Sequence, residues 1–176
     1  MDKILKVFFE HPEKEFHVRE LSKLLKKSPT TISKYLKEFE KEKILQSNEK
    51  LNHLLFRANI ENKKFKQLKA NYNLNVLENL GLIEHLVKEF NYPEAIVLFG
   101  SFSNGEDSQK SDIDLLIISP LKKEIDLTKF ENGLNRKIQI FVRSKEDIKN
   151  MKIKNKELLN SIVNGIVVHG FWELFK

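Results

Sequence analysis

AIVLFGSFSNGEDSQKSDIDLLIIS, residues 95–119, holds two apolar runs joined by a polar spacer, and the rest of the chain is arranged about it. The first run, Ala95 to Phe99, has the length of a buried strand and stops at Gly100-Ser101, a turn at which a backbone can approach a ligand closely. After a spacer of ten residues, 102–111, comes Asp112-Ile113-Asp114, followed by Leu115 to Ile118. Side chains alternate along a strand, so Asp112 and Asp114 point one way while Ile113 and Leu115 point into a core. Two carboxylates side by side repel each other unless a cation or a proton lies between them, and hard oxygen ligands suit Mg²⁺ or Mn²⁺. The spacing therefore predicts a divalent-metal phosphate site at the mouth of a sheet.

The combination of buried strand, Gly-Ser turn, ten-residue spacer and an apolar strand bearing D-h-D (h, apolar) resembles the minimal nucleotidyltransferases of the DNA polymerase β superfamily. That resemblance implies an α/β (α+β) domain with a mixed sheet. It also implies that Gly100 and Ser101 cradle a nucleoside triphosphate, and that Asp112 and Asp114 are catalytic and hold Mg²⁺ or Mn²⁺. Members of the superfamily carry a third carboxylate on a following strand, just before a helix opening with Pro-Glu or Ser-Glu. The matching segment here is Arg136 to Val142, and Gln139 stands at the carboxylate position. An amide is neutral and cannot accept a proton from an attacking hydroxyl, so transfer is expected to suffer more than nucleotide binding. Glu124, Asp126 and Glu131 lie in the polar segment between the two strands, but their spacing gives no support for a replacement ligand. A solvated helix around Leu127 to Leu134 is the expectation there.

A chain of 176 residues with 40% apolar composition supports one domain or two small ones, and no apolar run approaches the roughly 20 residues of a membrane span. The N-terminus mixes acids with lysines and lacks the apolar centre of a signal peptide, so a cytoplasmic protein is expected. Cysteine is absent, which excludes disulfides, thiolate catalysis and Cys-ligated zinc, and the five histidines lack ligand spacing.

Charge is unevenly shared. Residues 1–70 hold 17 Lys and Arg against 10 Asp and Glu, whereas residues 71–176 hold 14 against 15. A basic surplus confined to one end suits a separate nucleic-acid module, since attraction to phosphate is long-ranged and indifferent to sequence. A helix at Ile4 to Phe9 is stopped near Pro12, and a second runs from His17 to Leu25. Ser28-Pro29 opens a third with an N-cap and a proline at the first helical position. That helix buries Ile32, Leu36 and Phe39. Ser47 to Lys50 are expected to turn the chain between strands at Ile44–Gln46 and Leu54–Phe56. Three helices and a β-hairpin in this order resemble a winged helix-turn-helix domain, residues 1–58. The resemblance places Thr30, Thr31, Ser33 and Lys34 near base edges of duplex DNA, with Lys26, Lys27, Lys37 and the wing's Lys50 nearer phosphates. Such units also serve as docking or dimerisation modules.

From Ile60 to Phe90 the spacing is helical and Gly81 interrupts it, so two helices are expected, a linker over 59–73 with the break at Asn71-Tyr72-Asn73 and one capping the sheet of a nucleotidyltransferase-like domain over 74–176. The dense apolar set from Leu74 to Val87 is explained equally by core packing and by a subunit contact in a homodimer. The tail predicts a helix through Leu158, Leu159, Ile162 and Val163, then a last short strand at Ile166–Val168. Two functional readings follow. One is a nucleotidyltransferase tethered to DNA or to a partner. The other is a DNA-binding transcriptional regulator whose enzyme-like domain, degenerate at Gln139, senses a nucleotide or dimerises.

Overall fold

The computed structural model describes residues 3–50 and 53–173, and the chain divides into two compact units, Met1–Tyr72 and Asn73–Lys176. In the first unit α1 (Lys3–Glu10) leads to a short β1 (Phe16–His17), then α2 (Val18–Leu25) and α3 (Pro29–Lys41). A hairpin of β2 (Leu45–Lys50) and β3 (His53–Ala58) follows, and the three antiparallel strands lie in the order β1-β3-β2. Local chemistry explains the helix pair. Lys26 adopts the left-handed conformation that ends α2, Ser28 Oγ accepts the Thr31 N–H at 3.1 Å, and Pro29 occupies the first position of α3. Ile4, Phe8, Leu21, Ile32, Leu36 and Phe56 bury one face of each element in a common core, with the Phe8 and Phe16 rings edge to face at 5.2 Å.

Two sequence expectations change here. Ser47 to Lys50 do not turn the chain: they lie in β2, where they pair with Phe56, Leu55, Leu54 and His53. Nor does a helix break at Asn71-Tyr72-Asn73, because α4 runs unbroken over Lys63–Leu80 and ends at Gly81, which has φ +74°. The weak helix preference of these residues is outweighed by bonds their side chains make. Tyr72 Oη donates to Glu10 Oε1 at 2.7 Å, and Asn73 Nδ2 donates to the Phe102 carbonyl at 2.9 Å and to Asp107 Oδ1 at 2.8 Å.

The second unit is a sheet with helices on both faces. Its elements after α4 are α5 (Leu82–Glu89), β4 (Ala95–Phe99), α6 (Ser101–Asn104), β5 (Ile113–Ile118), α7 (Thr128–Leu134), β6 (Ile138–Arg143), α8 (Lys145–Lys154), α9 (Lys156–Val163) and β7 (Ile166–Gly170). Strand order is β6-β5-β4-β7, parallel between β5 and β6 and antiparallel elsewhere. Alternation sorts the side chains. Ile96, Leu98, Ile113, Leu115 and Ile117 pack with Leu77, Leu82, Leu86 and Phe130 on one face. Ala95, Val97, Phe99, Leu116 and Ile118 pack with Ile148, Met151, Leu159 and Ile162 on the other. Burial on both faces is why β4 and the end of β5 read as unbroken apolar runs. A capping box opens α8: Ser144 Oγ accepts the Asp147 N–H at 3.1 Å while Asp147 Oδ2 accepts the Ser144 N–H at 2.9 Å.

Candidate active site

The carboxyl end of β4 meets the amino ends of β5 and β6. Phe99 pairs with Asp114, and Asp114 with Gln139, so the last residue before the Gly100 turn and the two polar strand residues stand in one row. Ile138, Ile140 and Val142 pack into the core face with Ile113 and Leu115. Gln139 therefore projects on the face shared by Asp112 and Asp114. Its amide confirms the placement, since Nε2 donates to Asp112 Oδ2 at 2.5 Å.

Gly100 has φ +74° and ψ −165°, a conformation that side-chain-bearing residues rarely adopt. It also leaves room for its neighbour: a Cβ here would lie 2.5 Å from Asp114 Oδ2. Ser101 starts the four-residue α6, and the Ser103 N–H donates back to the Gly100 carbonyl at 3.2 Å. The buried Ser103 fixes the turn, its hydroxyl donating to the Gly100 carbonyl at 2.8 Å. Burial pushes the Asp114 carboxyl above its ordinary range, and the charge of Asp112 adds to the effect. The two carboxylates thus repel each other across a partly buried site, the electrostatic condition that a divalent cation relieves.

None of the three acids between β5 and β6 replaces the missing carboxylate in this row. Glu131 accepts the Ile138 N–H at 3.0 Å and pairs with Lys137 at 3.3 Å, both of which hold its carboxyl below the usual range. Asp126 caps the start of α7 through the Thr128 N–H at 2.9 Å, and Glu124 is exposed. Among the described residues no group of three His, Cys, Asp or Glu is placed to hold a metal. The donor set fits one divalent cation on Asp112 and Asp114, with an amide where a third carboxylate would complete a second site.

Residues 82–170 match the family model described as Polymerase beta, Nucleotidyltransferase. The chain belongs to that family. No curated protein matches the chain. The matched range takes in every element of the nucleotidyltransferase sheet, from α5 through β7, and so contains Gly100, Ser101, Asp112, Asp114 and Gln139.

Beneath the site lies an ion pair that the sequence reading did not anticipate. Arg136 Nη2 donates to Asp107 Oδ2 at 2.9 Å, with side-chain exposures of 11% and 1%, and Asn73 bonds the other carboxylate oxygen. Asp107 sits in the spacer between Gly100 and Asp112, and Arg136 just ahead of β6. An acid within a spacer and an arginine before a strand give only a faint sequence signal, because their partnership depends on folding.

The residues expected to meet DNA lie on and around α3 in the first unit. Thr30, Lys34 and Lys37 are exposed, while Ser33 and Thr31 are half-buried, the Thr31 hydroxyl being 2.8 Å from that of Ser28. Lys26 and Lys27 are exposed in the turn before α3, with Lys27 Nζ 6.0 Å from the centre of the Tyr35 ring. Lys50, at the end of β2, is paired with Glu15 at 2.8 Å. That pairing offsets its charge and makes it the weakest of the proposed phosphate contacts.

Proposed function

We propose that the second unit binds a nucleoside triphosphate with Mg²⁺ or Mn²⁺ and transfers its nucleotidyl group slowly to an acceptor hydroxyl, while the first unit, a winged helix, holds the protein on duplex DNA. The observation that carries the nucleotide reading is the row Phe99, Asp114, Gln139, with the Gly100 turn at one end and Asp112 hydrogen-bonded to Gln139, in a family of nucleotidyltransferases. Gly100 lets the backbone of the Gly100–Ser101 turn approach phosphate. Asp112 and Asp114 hold the cation. When bound, that cation polarises the α-phosphate and lowers the pKa of an acceptor hydroxyl. In the transfer, the hydroxyl oxygen bonds the α-phosphorus, the bond from that phosphorus to the oxygen bridging to the β-phosphate breaks, pyrophosphate leaves with that oxygen, and the hydroxyl proton passes to solvent water. Gln139 cannot take that proton or add charge to the site, and its amide engages an oxygen of Asp112. Turnover is consequently slow relative to binding.

The same hydrogen bond favours a second reading, in which the nucleotide is a signal and the protein a DNA-binding regulator. Support for DNA binding comes from the basic surplus of residues 1–70 and the exposed Lys34 and Lys37 on α3. The test of the primary reading is thermal melting with Mg²⁺ and each nucleoside triphosphate, alongside pyrophosphate release. Stabilisation should appear in the wild type and vanish when Asp112→Asn and Asp114→Asn are combined. A shift that survives the double change means the aspartates do not hold the cation. Stabilisation without pyrophosphate release selects the regulator.

A further inference from the structure

Resting on the nucleotide-site reading above, we infer that Arg136 is a positioning residue that sets where Asp112 stands relative to the Gly100–Ser101 turn. One guanidinium touches both ends of the spacer joining them. Its Nη1 donates to the Ser108 carbonyl at 2.6 Å and to the Ser111 carbonyl at 2.9 Å, and Ser111 immediately precedes Asp112. Its Nη2 binds Asp107, and the guanidinium carbon lies 5.3 Å from the centre of the Phe102 ring, one residue past Ser101.

The contacts close a ring. Asn73 Nδ2 donates both to the Phe102 carbonyl and to Asp107 Oδ1, so the start of the spacer, its middle and its end are tied through two side chains. The turn over Ser108 to Ser111 adds its own bonds, the Ser108 N–H to Ser111 Oγ at 2.9 Å and the Lys110 N–H to Ser108 Oγ at 3.3 Å. Beside it the Ile113 N–H donates to the Lys137 carbonyl at 2.9 Å, which joins the entrance of β5 to that of β6 one residue past Arg136.

A contribution to stability alone does not call for this group. Buried ion pairs are often replaceable by apolar residues with no loss of stability, because desolvation offsets their attraction. What an apolar residue lacks, and a lysine lacks too, is a planar fork that reaches two carbonyls and a carboxylate together. The fork converts a polar loop into a fixed spacer, and Asp112 is its last product.

Arg136→Lys is the test variant, measured as the full chain for ligand-free melting, for peptide N–H exchange, and for affinity toward Mn²⁺ and toward Mg²⁺ with adenosine triphosphate. Exchange at Ser108, Lys110 and Ser111 should quicken while Ile96–Leu98 and Leu115–Ile117 keep their protection. Mn²⁺ affinity should fall by about tenfold or more, as when an outer-shell partner of a metal ligand is lost. Unchanged affinity despite faster local exchange overturns the inference, and so does a loss of protection spread evenly over the sheet, which marks a merely structural residue. If the wild type binds neither Mn²⁺ nor nucleotide, the nucleotide reading has failed and the placement of Asp112 is judged by the side-chain amide resonance of Gln139. A move toward the free-glutamine position in the variant then supports the positioning role, and no move overturns it. Should Arg136→Lys not fold, Asp107→Asn, which keeps the shape and drops the charge, is read by the same measurements.

Discussion

Gln139→Glu exchanges one NH₂ for an oxygen and leaves the side chain its length, so it isolates the role of the amide that now donates to Asp112 at 2.5 Å. Two effects act on the ligand-free protein. The hydrogen bond to a charged acceptor is lost, and a second carboxylate is set against Asp112. Two like charges about 4 Å apart cost roughly 1 kcal/mol if water screens them fully and about 4 kcal/mol at the effective dielectric of a protein surface. Gln139 is exposed, so the lower half of that range applies. For a folding unit of 104 residues, Asn73–Lys176, each kcal/mol moves the melting temperature by about 4–8 °C, and the expected fall near pH 7 is therefore on the order of 5–15 °C. The sign with pH follows from the repulsion, which raises the carboxyl pKa values in the folded state. The deficit is absent below the ordinary carboxylate range and grows as pH rises through the folded values. Mg²⁺ or Mn²⁺ with nucleotide should restore more stability in the variant than in the wild type. Pyrophosphate release should rise by about a hundredfold, roughly 3 kcal/mol of barrier, if the missing ligand is what slows transfer. Differential scanning fluorimetry across pH, with and without cation, reads the first part. A variant with wild-type melting at pH 7 and a wild-type response to cation would refute the placement of Gln139 against Asp112, whatever happened to the rate.

Other substitutions examine the remaining pieces. Asp114→Asn should raise the ligand-free melting temperature near neutral pH, because it removes a charge that burial and Asp112 both disfavour, and the gain should shrink as pH falls into the ordinary aspartate range, where the wild type is protonated in either state. The same variant should lose its stabilisation by Mg²⁺ and nucleotide, which calorimetry would measure. Gly100→Ala should abolish nucleotide binding at modest loss of fold, since its Cβ meets Asp114 Oδ2 at 2.5 Å in a backbone conformation alanine resists. For the first unit, duplex binding by the full chain should weaken steeply with salt, and Lys34→Ala with Lys37→Ala should lower the slope of log affinity against log salt by about 2 while weakening all sequences alike. A salt-independent affinity in a gel-shift series would favour a protein-docking surface.

The site was legible where it rests on alternation. Asp112 and Asp114 interrupt strand positions otherwise filled by Ile113, Leu115, Leu116 and Ile117, and a period of two assigns their face without any knowledge of the fold. Gln139 among Ile138, Ile140 and Val142 obeys the same rule, which is why its direction toward the aspartates was readable before its hydrogen bond was seen. What escaped the sequence depends on partners far along the chain. Asn73 reads as a helix breaker only while its amide lacks acceptors, and those acceptors lie 29 and 34 residues away. Ser47 to Lys50 have turn-forming character in isolation but strand character once residues 53–56 pair with them. Arg136 reaches carbonyls 25 and 28 residues earlier, and nothing in a local window distinguishes it from a solvated arginine.

The replacement of a carboxylate by glutamine changes what the empty site costs. Three carboxylates converging on one strand end are tolerable only when cations or protons fill the space between them. Here one oxygen of Asp112 is already satisfied by an amide, and the residual strain falls on Asp114, whose carboxyl is pushed upward by burial first and by Asp112 second. A single divalent cation matches the two remaining negative charges. On the nucleotide reading proposed above, binding it with a triphosphate would relieve Asp114, whereas transfer, with no proton acceptor at Gln139, would stay slow. On that reading a separation of binding from turnover is what Gln139 would add to the Gly-Ser and double-aspartate site, and the response of Gln139→Glu to cation tests both halves of it at once.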